Sequence, residues 1–382
     1  MAYLTKPILL LIGGVFFTHL ASGQQRKKTY YPSGNMKEHY EIKVVGTDTL
    51  KSGRYCYFFE NGIKMQCGQY TDNMLTGTWE TFYDNGEIKA VWSFNKNKKD
   101  GPFRIYGPNK LLLQTGNYST DLPNGVIITY RENGIKQHEN EYKSGLQSGR
   151  QLDFDDKGVL LIDREMINGI EEGNYMSNYP TGEKREIGKK KNGSWTDTLY
   201  TYYLSGGLKR KSLMVVGQIE GELSSYLENG NIQELSHYSA GELDGLFTEF
   251  YASGLIKEIG NYRKGIKTGC WQAFYSTGSI FSKGDFIEGK YAGLWIVYNQ
   301  NGHSKSEGYF INGAENGHWL TFNTDGKLET AGDYINTKPH GIWRAYDPSG
   351  RQTETALYFF GKMNYARRKL KKGDSTESPF FN

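Results

Sequence analysis

The chain has 382 residues with 46 Lys+Arg against 42 Asp+Glu, a net charge of +4. Hydrophobic residues make up only 37% and mean hydropathy is −0.66, yet 14% of residues are aromatic and 48 are Gly. Sparse aliphatics exclude several conventional cores, abundant aromatics exclude disorder, and the balanced charge excludes a nucleic-acid footprint spread along the chain.

Residues 1–23 read as a secretory signal peptide: Lys6 is the positive start, Ile8 to Phe17 the apolar run, and Ala21-Ser22-Gly23 the small residues before a cleavage site. An uncleaved anchor is the competing reading, although the run is shorter than the roughly 20 residues that span a bilayer. The expected location is therefore outside the cytoplasm: periplasmic, associated with an outer membrane, or extracellular. Residues 24–52 are expected to be a partial repeat or cap.

From Gly53 the chain follows a ruler. Glycines stand every 24 residues at 53, 77, 101, 125, 149 and 173, and again from 221 to 341. Counting each marker as position 0 gives thirteen units ending near Asn364, with Asp197 at the missing marker. Position 9 is Gly in all units but the one with Lys110, and position 5 is aromatic in all but the one with Asn178. Position 17 is aromatic in ten units, and position 2 is often Trp, as at Trp79, Trp271, Trp295, Trp319 and Trp343.

Such a unit reads as a β-hairpin, because Asn-Gly between aromatic-rich runs is a strong hairpin signal, expected here as a type I′ turn at positions 8 and 9. Paired positions then sum to 17, which sets each position-2 ring across from position 15, Gly in seven units. Links between units are too short for a crossover helix, so the expected fold is all-β: an elongated antiparallel meander of stacked hairpins. Between Gly173 and Gly221 the pattern reads as slipping, with a unit starting four residues early at Gly193 and a bulge or longer loop restoring phase. Residues 365–382 form a basic tail.

The stretch Gly269 to Ile280 (GCWQAFYSTGSI), with Gly284-Asp285-Phe286 after it, resembles the MORN-repeat-variant family. Gly77 to Ile88 and Gly245 to Ile256 carry the same pattern. The resemblance implies a twisted sheet of stacked hairpins used as a scaffold or binding surface. Some bacterial relatives are catalogued as antitoxins, a role that the apparent export signal opposes, and some MORN proteins are linked to phospholipids.

Candidate sites are surfaces rather than catalytic centres. The position-5 row, including Phe82, Phe250, Phe274, Tyr298, Phe322 and Tyr346, is either an internal aromatic ladder or a stripe for sugar rings, a peptide or another subunit. Lys189, Lys190 and Lys191 read as a basic loop, either a spacer or a contact for an anionic partner. Cys56 and Cys67 occupy positions 3 and 14 and face each other, expected on a hydrogen-bonded rung, either as a disulfide or as reduced thiols. His318 and His340 flank position 0 and are placed to approach across neighbouring strands. No Gly-x-Ser-x-Gly, Walker loop, His-Glu-x-x-His or CxxC occurs, so neither an enzyme, a cofactor nor a metal is expected. The expected function is a non-catalytic scaffold binding another protein or a second copy of itself; glycan or phospholipid binding is the alternative.

Overall fold

The computed structural model describes residues 25–368. The described residues are all-β, with 31 strands paired as successive antiparallel hairpins. The chain divides into two compact units between Leu146 and Gln147. In the first, hairpins such as Asp48–Phe58 with Lys64–Thr71 and Met74–Phe82 with Ile88–Asn95 follow one another. In the second, the series runs from Leu160–Ile167 through Lys290–Tyr298 with Ser304–Ile311 to the closing strand Lys362–Arg368. The segment expected to be a partial cap is a whole hairpin, Gln25–Tyr30 with Met36–Val45. Residues 1–23 lie outside the described residues; of the tail expected from residue 365, residues 365–368 belong to the closing strand Lys362–Arg368 and the rest lies outside the described residues.

Within each hairpin the pairing is the expected one: Gly53 faces Tyr70, Tyr55 faces Gly68, and Trp271 faces Gly284. The turns differ from expectation. At Asn61-Gly62 only the glycine is left-handed (φ 82°); Gly62 N–H donates to Phe59 O at 2.9 Å and Phe59 N–H to Ile63 O at 2.7 Å. This is a type I turn closed by a glycine bulge, and pairing shifts by one residue between Tyr57 and Phe58. Asparagine is chosen for its side chain, not for its φ: Asn61 Oδ1 accepts from Ile63 N–H at 3.0 Å.

The primed turns lie at the links instead. Asp72 and Asn73 both have positive φ (48° and 64°), as do Asn168 and Gly169 (51° and 83°) and Asn312 and Gly313 (51° and 83°). That twist matches the flanking strands. This also removes the slip between Gly173 and Gly221. Gly193 is a link glycine (φ 78°), preceded by Asn192 at 50°. Strands Ile170–Asn178, Ser194–Tyr202 and Gln218–Tyr226 keep the 24-residue spacing. Asp197 takes the marker position with φ 62°, a conformation Asp tolerates better than most residues. Its carboxylate accepts from Thr198 N–H at 2.8 Å, and no longer loop is present.

Pairing between successive hairpins carries a bulge at the marker. Gln66 faces Thr81 and Cys67 faces Glu80, but Gln69 faces Thr76, so Gly77 to Trp79 lie opposite Gly68 alone. The tryptophan uses that gap. Trp79 lies flat on Gly68 of the preceding hairpin, where a Cβ would stand 2.2 Å from the ring, and its indole N–H donates to Gln69 O at 3.1 Å. Trp271, Trp295, Trp319 and Trp343 repeat this on Gly260, Gly284, Gly308 and Gly332. Each ring thus covers bare backbone across the hairpin boundary and caps a carbonyl beside the bulge. Position-17 rings fill between them edge-on, as Tyr262 against Trp271 at 5.1 Å and Phe286 against Trp295 at 5.3 Å. Trp271, Phe286 and Trp295 form the centre of this core.

Candidate functional site

Alternation along each strand separates two surfaces. In Leu208–Val215, Ser212 and Met214 are buried on the aromatic side, whereas Leu213 and Val215 are exposed. Leu357 takes the position of Leu213, and position 1, its partner across the hairpin, carries Leu246, Leu294 and Ile342, all exposed. Ile167, Ile170, Ile266, Ile287 and Ile311 flank the link turns on this side, and Ile287 is 66% exposed. In the second unit exposed aliphatics therefore recur on the side of the sheet opposite the aromatic core, at alternate repeats and interspersed with exposed Glu222, Cys270, Asp285, His318 and Asp333. Sequence reasoning missed it, although a signal exists: aliphatic residues bracket the link glycines, as in Ile167-Asn-Gly-Ile170.

The position-5 row is not that surface. Phe82, Phe250, Phe274, Tyr298, Phe322 and Tyr346 are each half-buried at the end of a first strand, beside the turn bulge. The backbone of two of them ties neighbouring hairpins: Tyr251 Oη donates to Phe274 O and Tyr275 Oη to Tyr298 O, both at 2.7 Å. Lys283 Nζ sits 5.8 Å from the Tyr298 ring centre.

Lys189, Lys190 and Lys191 lie in the strand Lys184–Lys191 and not in a loop. Strand periodicity splits them. Lys190 turns to the aromatic side, over the Tyr175 and Trp195 rings, and pairs with Glu171. Lys189 points away and meets Asp197 at 3.4 Å, and Lys191 is exposed. The Thr198 N–H, and then Lys189, hold the Asp197 carboxyl below its ordinary pKa.

Cys56 and Cys67 form a disulfide with a Cα–Cα distance of 4.2 Å. That separation belongs to a rung without paired hydrogen bonds, correcting the expected rung type. Cys270 is free and exposed. His318 and His340 do not meet: both lie opposite Asp333, and His318 Nδ1 is 3.1 Å from its Oδ1.

One open groove joins aromatic and cationic groups. Tyr179, Tyr202, Tyr203 and Tyr226 line it with Arg185, Lys209 and Arg210. Two of the tyrosines are braced, since Tyr179 Oη donates to Tyr202 O at 2.9 Å and Tyr203 Oη to Tyr226 O at 2.7 Å.

Three stretches of the chain, residues 75–96, 219–240 and 243–264, match the family model described as the MORN repeat variant. The chain carries MORN-variant repeats. Each matched stretch begins just inside a first strand and ends with its hairpin, so the family's unit and the structural repeat coincide. No curated protein sequence matches the chain significantly. Among solved structures, the chain is similar to part of the TcdB2–TccC3–Cdc42 crystal structure, at 11% identity and TM-score 0.12 over 87% of this chain. A mutant Tc holotoxin pore from Photorhabdus luminescens matches at 11% identity and TM-score 0.15, also over 87%. The TcdB2–TccC3–TEV structure matches at 11% identity and TM-score 0.13 over 89%. The chain spans about a quarter of those chains, 26%, 23% and 26% respectively.

Proposed function

We propose that this chain is an exported, non-catalytic MORN-variant scaffold that binds another protein, or a second copy of itself, through the outward apolar surface of its second unit. The observation carrying the reading is the recurrence of exposed Leu246, Leu294 and Ile342 at one position of the repeat, with Ile266, Ile287 and Ile311 beside the adjoining links. Apolar surface that recurs in register on one side is what a protein partner covers, whereas scattered exposed aliphatics need no explanation. Repeats support the role further, because a meander of similar hairpins offers a long surface whose side chains vary while its backbone does not.

The test compares the wild-type chain with a Leu246→Ser, Leu294→Ser, Ile342→Ser triple variant in affinity capture from a cell-envelope fraction, with sedimentation to read self-association. The reading expects a partner, or a dimer, that the variant loses while keeping its circular dichroism. Equal capture and equal sedimentation by both chains would refute it.

Glycan or phospholipid binding is the second reading, favoured by the groove of four tyrosines with Arg185, Lys209 and Arg210. It expects binding of acidic glycans or anionic vesicles that weakens as salt rises, and that fails in Arg210→Gln. Salt-independent binding, or binding unchanged in that variant, would exclude it.

A further inference from the structure

On the aromatic side, repeats with a ring at position 2 build a small seat from three residues: the one two places before the marker, that ring, and the residue at position 17. Several repeats fill the seat with their own lysine. Lys267 Nζ lies 3.7 Å from the Trp271 ring centre and 5.5 Å from that of Phe286, with Glu258 Oε1 at 2.6 Å. Lys51 Nζ lies 4.6 Å from the Tyr55 ring and 5.6 Å from that of Tyr70. Lys190 enters from position 17 instead, over Tyr175 and Trp195, and meets Glu171. An ammonium held by rings and a carboxylate is thus built twice within the chain.

The repeat at Gly317 has the same seat without the lysine. Glu315 stands where Lys267 and Lys51 stand in their repeats, Trp319 and Tyr334 are the ring walls, and Trp343 and Tyr358 extend them around Pro339 in an open groove. Trp319 is half-buried here, whereas Trp271 under its lysine is 1% exposed. The Glu315 carboxylate is half-buried and, among the described residues, meets neither a cation nor a hydrogen-bond donor. Burial alone pushes its pKa up, with no neighbouring charge to oppose the shift. A partly desolvated carboxylate beside electron-rich ring faces is complementary to a cation on both counts.

We propose that this groove takes the side-chain ammonium of a lysine on a partner protein, with Glu315 as counter-ion and Trp319 and Tyr334 as walls. Lysine is the occupant because lysines of this chain, stem and ammonium together, fill the equivalent seats elsewhere. The inference rests on the reading of the chain as a protein-binding scaffold and adds a contact on the aromatic side of the sheet, opposite the apolar surface described above.

The probe is Nα-acetyl-lysine N-methylamide titrated into the full chain, read from the indole N–H resonances of Trp319 and Trp343, assigned with Trp→Phe variants. Expected are a saturable shift of those two signals and none with the norleucine analogue, which keeps the stem and lacks the charge. In Glu315→Gln the affinity falls about tenfold or more, as for loss of a charged partner. Glu315→Lys supplies the seat's own cation, as Lys267 does, and abolishes binding with circular dichroism unchanged. No saturable shift, an equal response to the norleucine analogue, or full affinity in Glu315→Gln overturns the inference, and so does a response to choline alone, which would assign the seat to a small quaternary ammonium. The probe needs no partner, so the two readings fail separately. A silent seat in a chain that still captures its partner refutes this inference alone; a chain that captures nothing refutes the scaffold.

Discussion

Replacing Gly260 with alanine isolates the contact on which the repeat depends. A methyl at Gly260 would stand 2.1 Å from Cδ2 and 2.3 Å from Cε2 of Trp271. Those are rigid ring atoms, and Phe247, Tyr262 and Phe286 pack around them, so no flexible tip gives way. Either the strand shifts or the indole lifts and loses its 3.1 Å bond to Asn261 O. Overpacking costs about 1–3 kcal/mol and the lost hydrogen bond about 1 kcal/mol, a total of roughly 2–4 kcal/mol. Gly207→Ala is the control: its nearest neighbour stands at 3.7 Å and its φ is not left-handed, so the expected change is within about 1 kcal/mol, on the stabilising side. Arrays of repeats open piecewise, so the assay is hydrogen exchange of residues 256–274 rather than a single global melt. Undiminished protection in Gly260→Ala, or equal damage from Gly207→Ala, would refute the reasoning.

Two further outcomes follow from the same geometry. Asp197→Gly should change stability by less than about 0.5 kcal/mol, because glycine adopts the left-handed φ freely while the carboxylate contacts are lost; Asp197→Val, which loses those contacts and resists φ 62°, should cost about 1–2 kcal/mol in chemical denaturation. Burial raises the pKa of Tyr70, Tyr262 and Tyr334 above the ordinary value near 10, so their contribution to stability is complete below that pH and is lost as pH rises through the raised values. Tyrosinate absorbance should therefore lag behind that of free tyrosine until alkaline unfolding releases it, and simple titration of every tyrosine near pH 10 would contradict the burial assigned to them.

Much of this architecture is legible in the sequence. The columns at Gly53, Gly77 and their successors, with rings at positions 2, 5 and 17, were enough to set the period and the pairing inside each hairpin, because every strand pair repeats the same steric demand. Turn type was not legible. Asn61-Gly62 satisfies the composition of either a primed turn or a type I turn with a glycine bulge, and only backbone φ tells them apart. Register through the middle was hidden by one residue: with Asp197 in place of the marker glycine, Gly193 reads as a marker when it belongs to a link. The partner glycine of each tryptophan was also half-read, since the position-15 column was visible but the bulge that leans Trp271 onto Gly260 of the preceding hairpin was not. Surfaces were the least legible. Position 5 stands out as an aromatic column yet lies half-buried beside the turn bulge, whereas the outward position of Ile167 and Ile311 carries Lys191, Ser239 and Arg263 in other repeats and does not stand out as a column. The seat at Glu315 becomes visible only by comparison with the lysine that its sister repeats place there.

The unbroken register through residues 173–221 is tested most directly by trapping a bridge. Tyr200 and Lys211 are partners at the positions that Cys56 and Cys67 hold in their own repeat. Tyr200→Cys with Lys211→Cys should oxidise to a cross-strand disulfide, found by non-reducing mass mapping, while Thr196→Cys with Gly207→Cys, the equivalent pair if a unit began at Gly193, should stay reduced. A bridge in the second pair and none in the first would contradict the continuous 24-residue hairpin repeat.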